Sequence, residues 1–358
     1  MVELADIFLR HGPEYLDRFE KRMLPSHIRA MQDIVDCRTP SMGGRVYQCQ
    51  NPECQKHVYS YHSCGNRNCP KCGQDRTEKW LEKQQTLLLP THYFLVTFTL
   101  PAELRPIARS NQKLIYDLLF KSSAAALQKL AKDTRFVGGD IGMMAGLHTW
   151  RRDMHYHPHV HCIVPGGGLS ADHRQWLPSN PKFFVRVEPL SIIFRAKFRD
   201  ALKKTPLYQS LSTSVWTKAW VVDSKPVGDG HRALKYLAPY IYRVAITNNR
   251  IEKLENGSVT FRYKDSETNQ WETETVPAME FIRRFLQHVL PKGFVKIRYY
   301  GLFSPGKRNL LAVVKYLMGK MSEPHESTPN QTEHICPYCA DHLILIKTLR
   351  RPPRAPPG

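Results

Sequence analysis

Four histidines alternate with other residues in one short stretch of the chain, and these side chains have the clearest potential for chemistry. His155, His157, His159 and His161 fall within seven residues. Side chains of a β-strand return to the same face every second residue, so His159 and His161 lie side by side. The apolar residues beside them, such as Val160, turn to the opposite face and enter a core. Two imidazoles on a rigid strand are half of a divalent-metal site, so we predict metal binding here.

Two tyrosines further along the chain are candidate nucleophiles. Tyr236 and Tyr240 are four residues apart and therefore share one face if the segment is helical. A phenol with a pKa of about 10 attacks at neutral pH only with help from a cation or a base, which Lys235, Arg243 or a bound metal ion could give. Half-buried packing is the alternative role for such a pair. Pro239 lies between the two phenols and favours a kink.

The front of the chain contains cysteine pairs at the spacing of zinc ligands. Cys49 and Cys54 form one pair and Cys69 and Cys72 the other, with 14 residues between the pairs. We predict that these four bind one structural Zn²⁺ in a tetrahedral site, because such pairs form zinc knuckles. The alternative is a set of reduced cysteines in a small core. The residues that could replace a ligand, or form a second zinc site, are Cys37, Cys64, His57 and His62.

A further cysteine pair, Cys336 and Cys339, lies near the end of the chain, with His334 and His342 on either side. These residues could form a small zinc site of their own. A redox-active pair is the alternative, but the surrounding sequence lacks a thioredoxin-like pattern.

Taken together, these residues resemble the HUH endonuclease superfamily, which is named for two histidines flanking a hydrophobic residue. More narrowly, the chain resembles the rolling-circle transposases of the two-tyrosine insertion-sequence and common-region type, through nearly its whole length. The ordered motifs that carry the resemblance are SCGNRNCPKC at 63–72, LHTW at 147–150, PGGGL at 165–169, the segment 236–246 and VLPKGF at 289–294. The resemblance implies single-strand DNA cleavage through a covalent 5′-phosphotyrosine, with a free 3′-OH left behind. It also implies Mg²⁺ or Mn²⁺ at the histidines, whereas imidazole ligands alone rank zinc above manganese.

The third metal ligand is predicted among the residues that precede the histidine strand. His148 lies 11 residues before His159, a spacing similar to that in the three-histidine clusters of conjugative relaxases of this superfamily. A hairpin of two neighbouring strands would also place His148 opposite the histidine pair. His157 is the alternative ligand, because it shares the face of His159, and His155 has the same parity.

The tyrosines differ in their predicted roles. A phosphotyrosine stores the energy of the phosphodiester bond, so rejoining needs no ATP. Two tyrosines would form two such bonds in turn, one for the donor strand and one for the target strand. If only one of them acts, we predict Tyr240. Tyr242 is predicted to be structural, because a side chain two residues further along a helix faces elsewhere.

The composition favours a polyanionic partner. The chain has 52 Lys and Arg against 32 Asp and Glu, a formal net charge of +20 and a pI of about 9.6. We predict DNA, mainly single-stranded or at the ends of a mobile element, because each neutralised phosphate releases condensed counterions. A membrane is not predicted, since the chain has no run of ~18 apolar residues and no N-terminal signal pattern.

The cysteine content and the motifs also bear on the cellular setting. Nine cysteines without an export signal are typical of thiols or metal ligands, which predicts a reducing bacterial cytoplasm, at the nucleoid. No helicase or P-loop motif is present, so strand displacement would require a host helicase or the replication machinery. A plasmid replication initiator or relaxase with the same chemistry is the nearest alternative function. A non-catalytic zinc-containing DNA-binding protein is the more distant one.

The order of the strands and helices that must position these residues predicts an α+β fold. An antiparallel β-sheet with helices on one face follows a zinc-ribbon-like module. We predict a helical and zinc-binding module at 1–90, the HUH domain at 91–320, and a linker, cysteine knuckle and disordered basic tail at 321–358. The predicted strands cover 92–100, 135–150, 157–164, 183–187 and 218–222, and the predicted helices cover 1–34, 104–131 and 189–203.

Two later segments differ in charge. Residues 265–280 contain five acidic residues and no basic one, and we interpret them as a solvated hairpin that faces away from DNA. Residues 281–320 contain nine Lys or Arg and no acidic residue. Within them, residues 298–303 alternate charge with aromatic rings, which predicts either a stacking platform for single-stranded DNA or a buried strand.

Overall fold

The computed structural model describes residues 2–72, 80–235, 244–265, 267–319 and 334–353. Tyr236, Tyr240 and Tyr242 lie outside these ranges. The labelled helices are α1 (Leu4–Phe19), α2 (Pro25–Asp36), α3 (Arg105–Ser110), α4 (Gln112–Ala131), α5 (Val187–Leu202), α6 (Ser214–Thr217), α7 (Ala278–Leu286) and α8 (Arg308–Leu317). Among the residues described, no helix combines the length and the apolar character that crossing a bilayer requires.

The strands form three larger sheets and one small one. In the first half of the chain they are β1 (Gly44–Cys49), β2 (His57–Tyr61), β3 (His92–Thr99), β4 (Gly142–Trp150), β5 (Tyr156–Pro165), β6 (Gly167–Leu169) and β7 (Trp176–Pro178). In the second half they are β8 (Val222–Asp229), β9 (Ile251–Glu255), β10 (Ser258–Lys264), β11 (Trp271–Pro277), β12 (Ile297–Gly301) and β13 (Leu343–Leu349).

The central sheet has five antiparallel strands in the order β12–β4–β5–β3–β8. β5 carries the histidines and lies in the middle, so both of its edges are hydrogen-bonded to neighbouring strands. The hairpin of β4 and β5 is the one that the sequence predicts, although β4 begins at Gly142 rather than at 135. The predicted α+β fold with an antiparallel sheet is confirmed.

The two faces of the central sheet have different environments. On one face, Val160 packs in a core with Phe120 of α4 and Phe194 of α5. The alternation of a strand turns His159 and His161 to the other face. Helices α4 and α5 thus cover one face of the sheet, and the histidines lie on the opposite face.

The histidine face also receives the helix that precedes the candidate tyrosines. Residues 230–235 are helical and directly follow β8. Ala233 of this helix is buried in a cluster with Ile163. Ile163 shares the face of His161, because they are two positions apart on one strand. This helix therefore lies on the histidine side of the sheet.

Several predicted elements differ from the observed ones. No strand forms at 183–187: Phe184 is buried in the core and α5 begins at Val187. An apolar run that packs without a strand partner has the same pattern as a buried strand, so periodicity cannot separate the two. The predicted helix at 104–131 is interrupted at Asn111, whose φ of −129° and ψ of 46° are not helical. The strand predicted at 218–222 begins only at Val222.

The front of the chain combines α1 and α2 with a three-stranded sheet of order β13–β1–β2. β13 comes from the far end of the chain and pairs antiparallel with β1, from Gly44 opposite Leu349 to Cys49 opposite Leu343. Residues 334–353, predicted as a knuckle and a tail after a linker, thus contribute a strand to the front sheet.

A second three-stranded sheet, β11–β10–β9, and helix α7 pack with the front helices in one apolar cluster. Phe8 of α1 contacts Phe285 of α7 edge to face, with ring centroids 5.5 Å apart. The acidic segment predicted as a hairpin supplies β11 and the turn that leads to it.

Candidate metal centres and the histidine cleft

Three imidazoles meet where β4 and β5 pair. His148 lies directly opposite His159 in the strand register. The ring centroids are 4.7 Å apart for His159 and His161, 4.8 Å for His148 and His161, and 5.3 Å for His148 and His159. One nitrogen from each ring lies within 4.8 Å of the other two. The structure thus brings together the three histidines that the sequence predicts as ligands.

Hydrogen bonds orient two of these rings. The Nδ1 of His159 donates to the backbone oxygen of His157 over 2.7 Å. The Nδ1 of His161 lies 3.0 Å from the hydroxyl of Thr97 on β3. Contacts of this kind at Nδ1 would direct Nε2 to a metal ion, because they fix both the tautomer and the ring angle of metal-binding histidines.

The electrostatics of the trio favour neutral imidazoles. Burial lowers the pKa of His159 to about 4 and holds the pKa of His161 well below its ordinary value. His148 is buried and stacks on Trp150, with ring centroids 5.1 Å apart and planes 14° apart. A neutral imidazole is the form that binds a cation.

The alternative third ligands lie elsewhere. Arg105 donates from its guanidinium to the Nδ1 of His157 over 2.8 Å, and His157 does not join the group of nitrogens at the trio. Burial, followed by the neighbouring His159, lowers the pKa of His157 to about 3. His155 is exposed and pairs with Asp153 over 3.3 Å. The geometry therefore favours His148 over both.

The trio opens into a cleft of about 490 Å³ with a basic wall. Arg151, Arg152 and Arg250 line the cleft together with the histidines and Trp150. Arg250 is buried, and its guanidinium donates to the backbone oxygens of Arg262 and Arg152, so it also supports the cleft wall. A cationic wall beside a metal site suits a phosphodiester backbone.

An acidic residue faces the same cleft. Arg152 donates to the backbone oxygens of Lys264 and Asp265, which holds the end of β10 against the cleft. Glu267, three residues beyond β10, is one of the residues that line the cleft. The segment 265–280, interpreted from its charge as facing away from DNA, thus borders the candidate site at this turn.

The predicted zinc ligands do not form one set. Cys69 and Cys72 lie with Cys37 and Cys64, and the four sulfurs are within 4.8 Å of one another. Cys37 caps the end of α2, and its Sγ is 3.5 Å from that of Cys72. The hydrogen bond between Cys64 and Cys69 lowers the pKa of the Cys64 thiol to about 6 and raises the pKa of the Cys69 thiol, so Cys64 forms the zinc-binding thiolate more readily than Cys69.

Cys49 and Cys54 belong to a different cluster, with Cys336 and Cys339. The Sγ atoms are 3.4 Å apart for Cys49 and Cys339, and 3.9 Å apart for Cys54 and Cys336. The prediction of a single site from Cys49, Cys54, Cys69 and Cys72 is therefore corrected, because the pairing of β1 with β13 carries the first two away from the second two.

A count of the cysteines could have signalled this division. Cys162 belongs to the core face of β5, which leaves eight of the nine cysteines. Eight thiols make two tetrahedral sets, whereas one set would leave four thiols unexplained.

The aromatic and basic segment near 298–303 contributes a half-buried edge strand, β12, to the central sheet. β12 pairs with β4 in the central sheet. Arg298 contacts Asp117 and lies 4.4 Å from the ring centroid of Phe120, and the hydroxyl of Tyr299 donates to Gln84 over 2.8 Å. These side chains are engaged inside the protein.

Comparison with known proteins agrees with this arrangement. The profile of a "Transposase zinc-binding domain" matches residues 7–100, and that of a "Putative transposase" domain matches residues 142–310. The chain is 39% identical over 352 residues to "Putative transposase y4qJ" of Sinorhizobium fredii, covering 92% of this chain and 87% of the relative. It is 28% identical over 295 residues to "Transposase for insertion sequence element IS801" of Pseudomonas savastanoi pv. phaseolicola, covering 77% of this chain and 70% of the relative. No solved structure matches the chain.

Two findings identify the family of the protein: the order of its two domains and its similarity to a relative along nearly the whole chain. A zinc-binding domain precedes the transposase domain, and cysteine clusters suited to Zn²⁺ lie in the described residues. A transposase acts on DNA, which agrees with the basic composition. The chain belongs to the IS91-type transposase family.

Proposed function

We propose that this transposase cuts and rejoins single DNA strands by a metal-dependent reaction with a tyrosine nucleophile, in rolling-circle transposition. The observation that carries the proposal is the trio of His148, His159 and His161, with its nitrogens gathered in a cleft lined by arginines. Three neutral imidazoles on two paired strands fit a divalent cation and leave further coordination positions for oxygen ligands.

Each group in the cleft has a proposed task. The trio would hold Mg²⁺ or Mn²⁺, and such an ion supplies Lewis-acid polarisation of a phosphoryl oxygen. Arg151 and Arg152 would bind the phosphates on either side of the scissile bond. Thr97 and the backbone oxygen of His157 keep the imidazoles aimed at the cation.

Tyr240 and Tyr236 are the proposed nucleophiles. The phenol oxygen forms a bond to the scissile phosphorus, the bond to the 3′ oxygen breaks, and the phenol proton leaves to the 3′ oxygen or to solvent. The resulting phosphotyrosine keeps a phosphodiester bond, so attack by another 3′-OH reverses the step without ATP. The position of helix 230–235 on the histidine face supports this assignment.

The wider setting follows from the proposed chemistry. The substrate would be single-stranded DNA at the ends of the element, and a host helicase or the replication machinery would expose it. The protein would then act at the bacterial nucleoid. We propose that residues 91–320 form the catalytic domain and that 1–90 together with 334–353 form the zinc-containing module.

The test uses a single strand from one end of the element, labelled at its 3′ end so that a 5′-phosphotyrosine adduct carries the label. We expect a labelled protein band on a denaturing gel when Mg²⁺ or Mn²⁺ is added. Tyr240→Phe should lose the first cut, and Tyr236→Phe should keep more of it but fail to complete strand transfer.

Tyr242→Phe is the matched control and should leave the adduct unchanged. The double variant of Tyr236 and Tyr240 should form no adduct while it still binds the strand, because basic residues elsewhere carry the phosphate affinity. An adduct mapped by mass spectrometry to Tyr242, or cleavage by the double variant, would overturn the assignment.

A further inference from the structure

We propose that Cys49, Cys54, Cys336 and Cys339 bind a second structural Zn²⁺, distinct from the one expected at Cys37, Cys64, Cys69 and Cys72, and that this ion joins the two ends of the chain. Cys336 and Cys339 lie outside both matched family domains, which cover 7–100 and 142–310. The proposal does not depend on the tyrosine chemistry.

The sulfur positions fit a tetrahedral ion. Ligands at about 2.3 Å from zinc in a tetrahedron are about 3.8 Å from one another. The Sγ atoms of Cys54 and Cys336 are 3.9 Å apart, those of Cys49 and Cys339 are 3.4 Å apart, and all four lie within 4.8 Å of one another. These distances match those of the first cluster, where neighbouring sulfurs are 3.5 and 3.6 Å apart.

Cys54 lies in a tight turn, and Cys336 and Cys339 lie in another turn of the same kind. Gln55 follows Cys54 with a φ of 45°, and Ala340 follows Cys339 with a φ of 62°. The amide of Gln55 donates to the oxygen of Asn51, and the amide of Ala340 donates to the oxygen of Cys336. A residue other than glycine adopts positive φ only where its surroundings hold it there. A shared cation between the two turns would provide that constraint.

The packing of β13 also calls for a further constraint. Ile344, Leu345 and Ile346 remain 43%, 51% and 44% exposed, although β13 pairs with β1 along its length. Half-exposed side chains contribute only part of the burial energy of a strand. Small modules of this type obtain their folding energy from zinc ligation, and a four-cysteine site would supply it here.

The first experiment measures zinc by mass spectrometry in full-length protein that carries His159→Ala and His161→Ala and is purified without chelator, because the imidazoles of the trio could otherwise hold a further zinc ion. We expect two zinc ions per chain. Cys336→Ser combined with Cys339→Ser should reduce the content to one, since zinc rarely stays on two thiolates. His334→Gln combined with His342→Gln is the matched control, because these imidazoles flank the pair outside the four-sulfur group, and it should keep two. A serine variant that retains two zinc ions, or the parent protein with one, would overturn the proposal.

A second measurement uses the unmodified protein and so does not depend on whether a variant folds. Cys339 is exposed and Cys54 is half-buried, so an alkylating reagent can reach this cluster. In the zinc-loaded protein we expect all four cysteines to resist alkylation, and after chelation we expect them to react together. Alkylation of Cys336 or Cys339 in protein saturated with zinc, at the same rate as after chelation, would contradict the assignment.

Discussion

The histidine trio and the second cysteine cluster (Cys49, Cys54, Cys336 and Cys339) both bring potential metal ligands together. They differ in the distance along the chain between the residues that meet. His148 and His159 are opposed in one hairpin, and the hydrogen bonds of the central sheet hold them whether or not an ion is bound. Cys49 and Cys339 are 290 positions apart and meet through one edge strand of a small sheet. We therefore expect a metal at the trio to serve chemistry and metal at the cysteines to serve folding.

The largest predicted effect is a loss of folding stability at the first cysteine cluster, which consists of Cys37, Cys64, Cys69 and Cys72. Cys69→Ser with Cys72→Ser removes two ligands of a site whose zinc binding supplies on the order of 10 kcal/mol of folding energy. We expect the front module to unfold, which limited proteolysis would detect as new cleavage within 1–72. A proteolysis pattern identical to that of the wild type would show that zinc at this cluster does not supply the folding energy of the front module. Cys162→Ala is the control, since that thiol belongs to neither cluster.

The next effect concerns the trio itself. His159→Ala with His161→Ala should reduce strand cleavage at least about 1,000-fold, because a Lewis-acid cation contributes several kcal/mol to the transition state. The sheet should stay folded, and DNA binding should keep its salt dependence. Cleavage assays and circular dichroism on the same samples measure both properties. His155→Ala should behave as the wild type, and full activity of the double variant would disprove the metal assignment.

A smaller effect separates the two candidates for third ligand. His148→Ala should raise the Mn²⁺ concentration needed for half-maximal cleavage by about 10- to 100-fold, because one of three ligands is lost while the cleft remains. His157→Ala should leave that concentration nearly unchanged, since Arg105 occupies its Nδ1. A titration that shows the reverse order would make His157 the ligand.

The smallest predicted effect is on the pH dependence of the free energy of unfolding, and it concerns a histidine that is buried but is not a predicted ligand. His288 is buried against Trp150 and does not belong to the trio, and burial lowers its pKa from 6.5 to about 4. Between these pH values the unfolded chain binds this proton and the folded chain does not, so the free energy of unfolding falls as the pH falls from about 6.5 to about 4. His288→Gln should make this decrease shallower, which denaturant titrations at several pH values can measure. Equal slopes in variant and wild type would contradict this role.

The position of the histidine trio could be predicted because its three residues lie close together in the sequence, on two neighbouring strands. Alternation fixes the face of His159 and His161, and a short hairpin places His148 across from them. The division of the cysteines could not be predicted from spacing, since nothing in residues 44–72 reveals that a strand at 343–349 pairs with β1. Pairing between distant strands depends on the match between the edges of both strands, which neither segment shows alone.

Two other differences have similar physical causes. Glu267 borders the cleft because Arg152 binds the backbone of the β10 end, an interaction that the charge pattern of 265–280 does not encode. The alternation of charge and aromatic rings near Arg298 suited a DNA platform and a buried strand equally well. The partners Asp117 and Phe120, which lie far away in the chain, decide in favour of the strand.

The pairing of β1 with β13 has a consequence for synthesis on the ribosome. Cys49 emerges 290 residues before Cys339. At about 5 to 20 residues per second, that interval lasts roughly 15 to 60 s. During this time the front sheet lacks its edge strand and half of its second four-cysteine cluster. The front sheet therefore completes its fold only after all strands of the central sheet have been made, and a copy truncated before residue 336 cannot complete it.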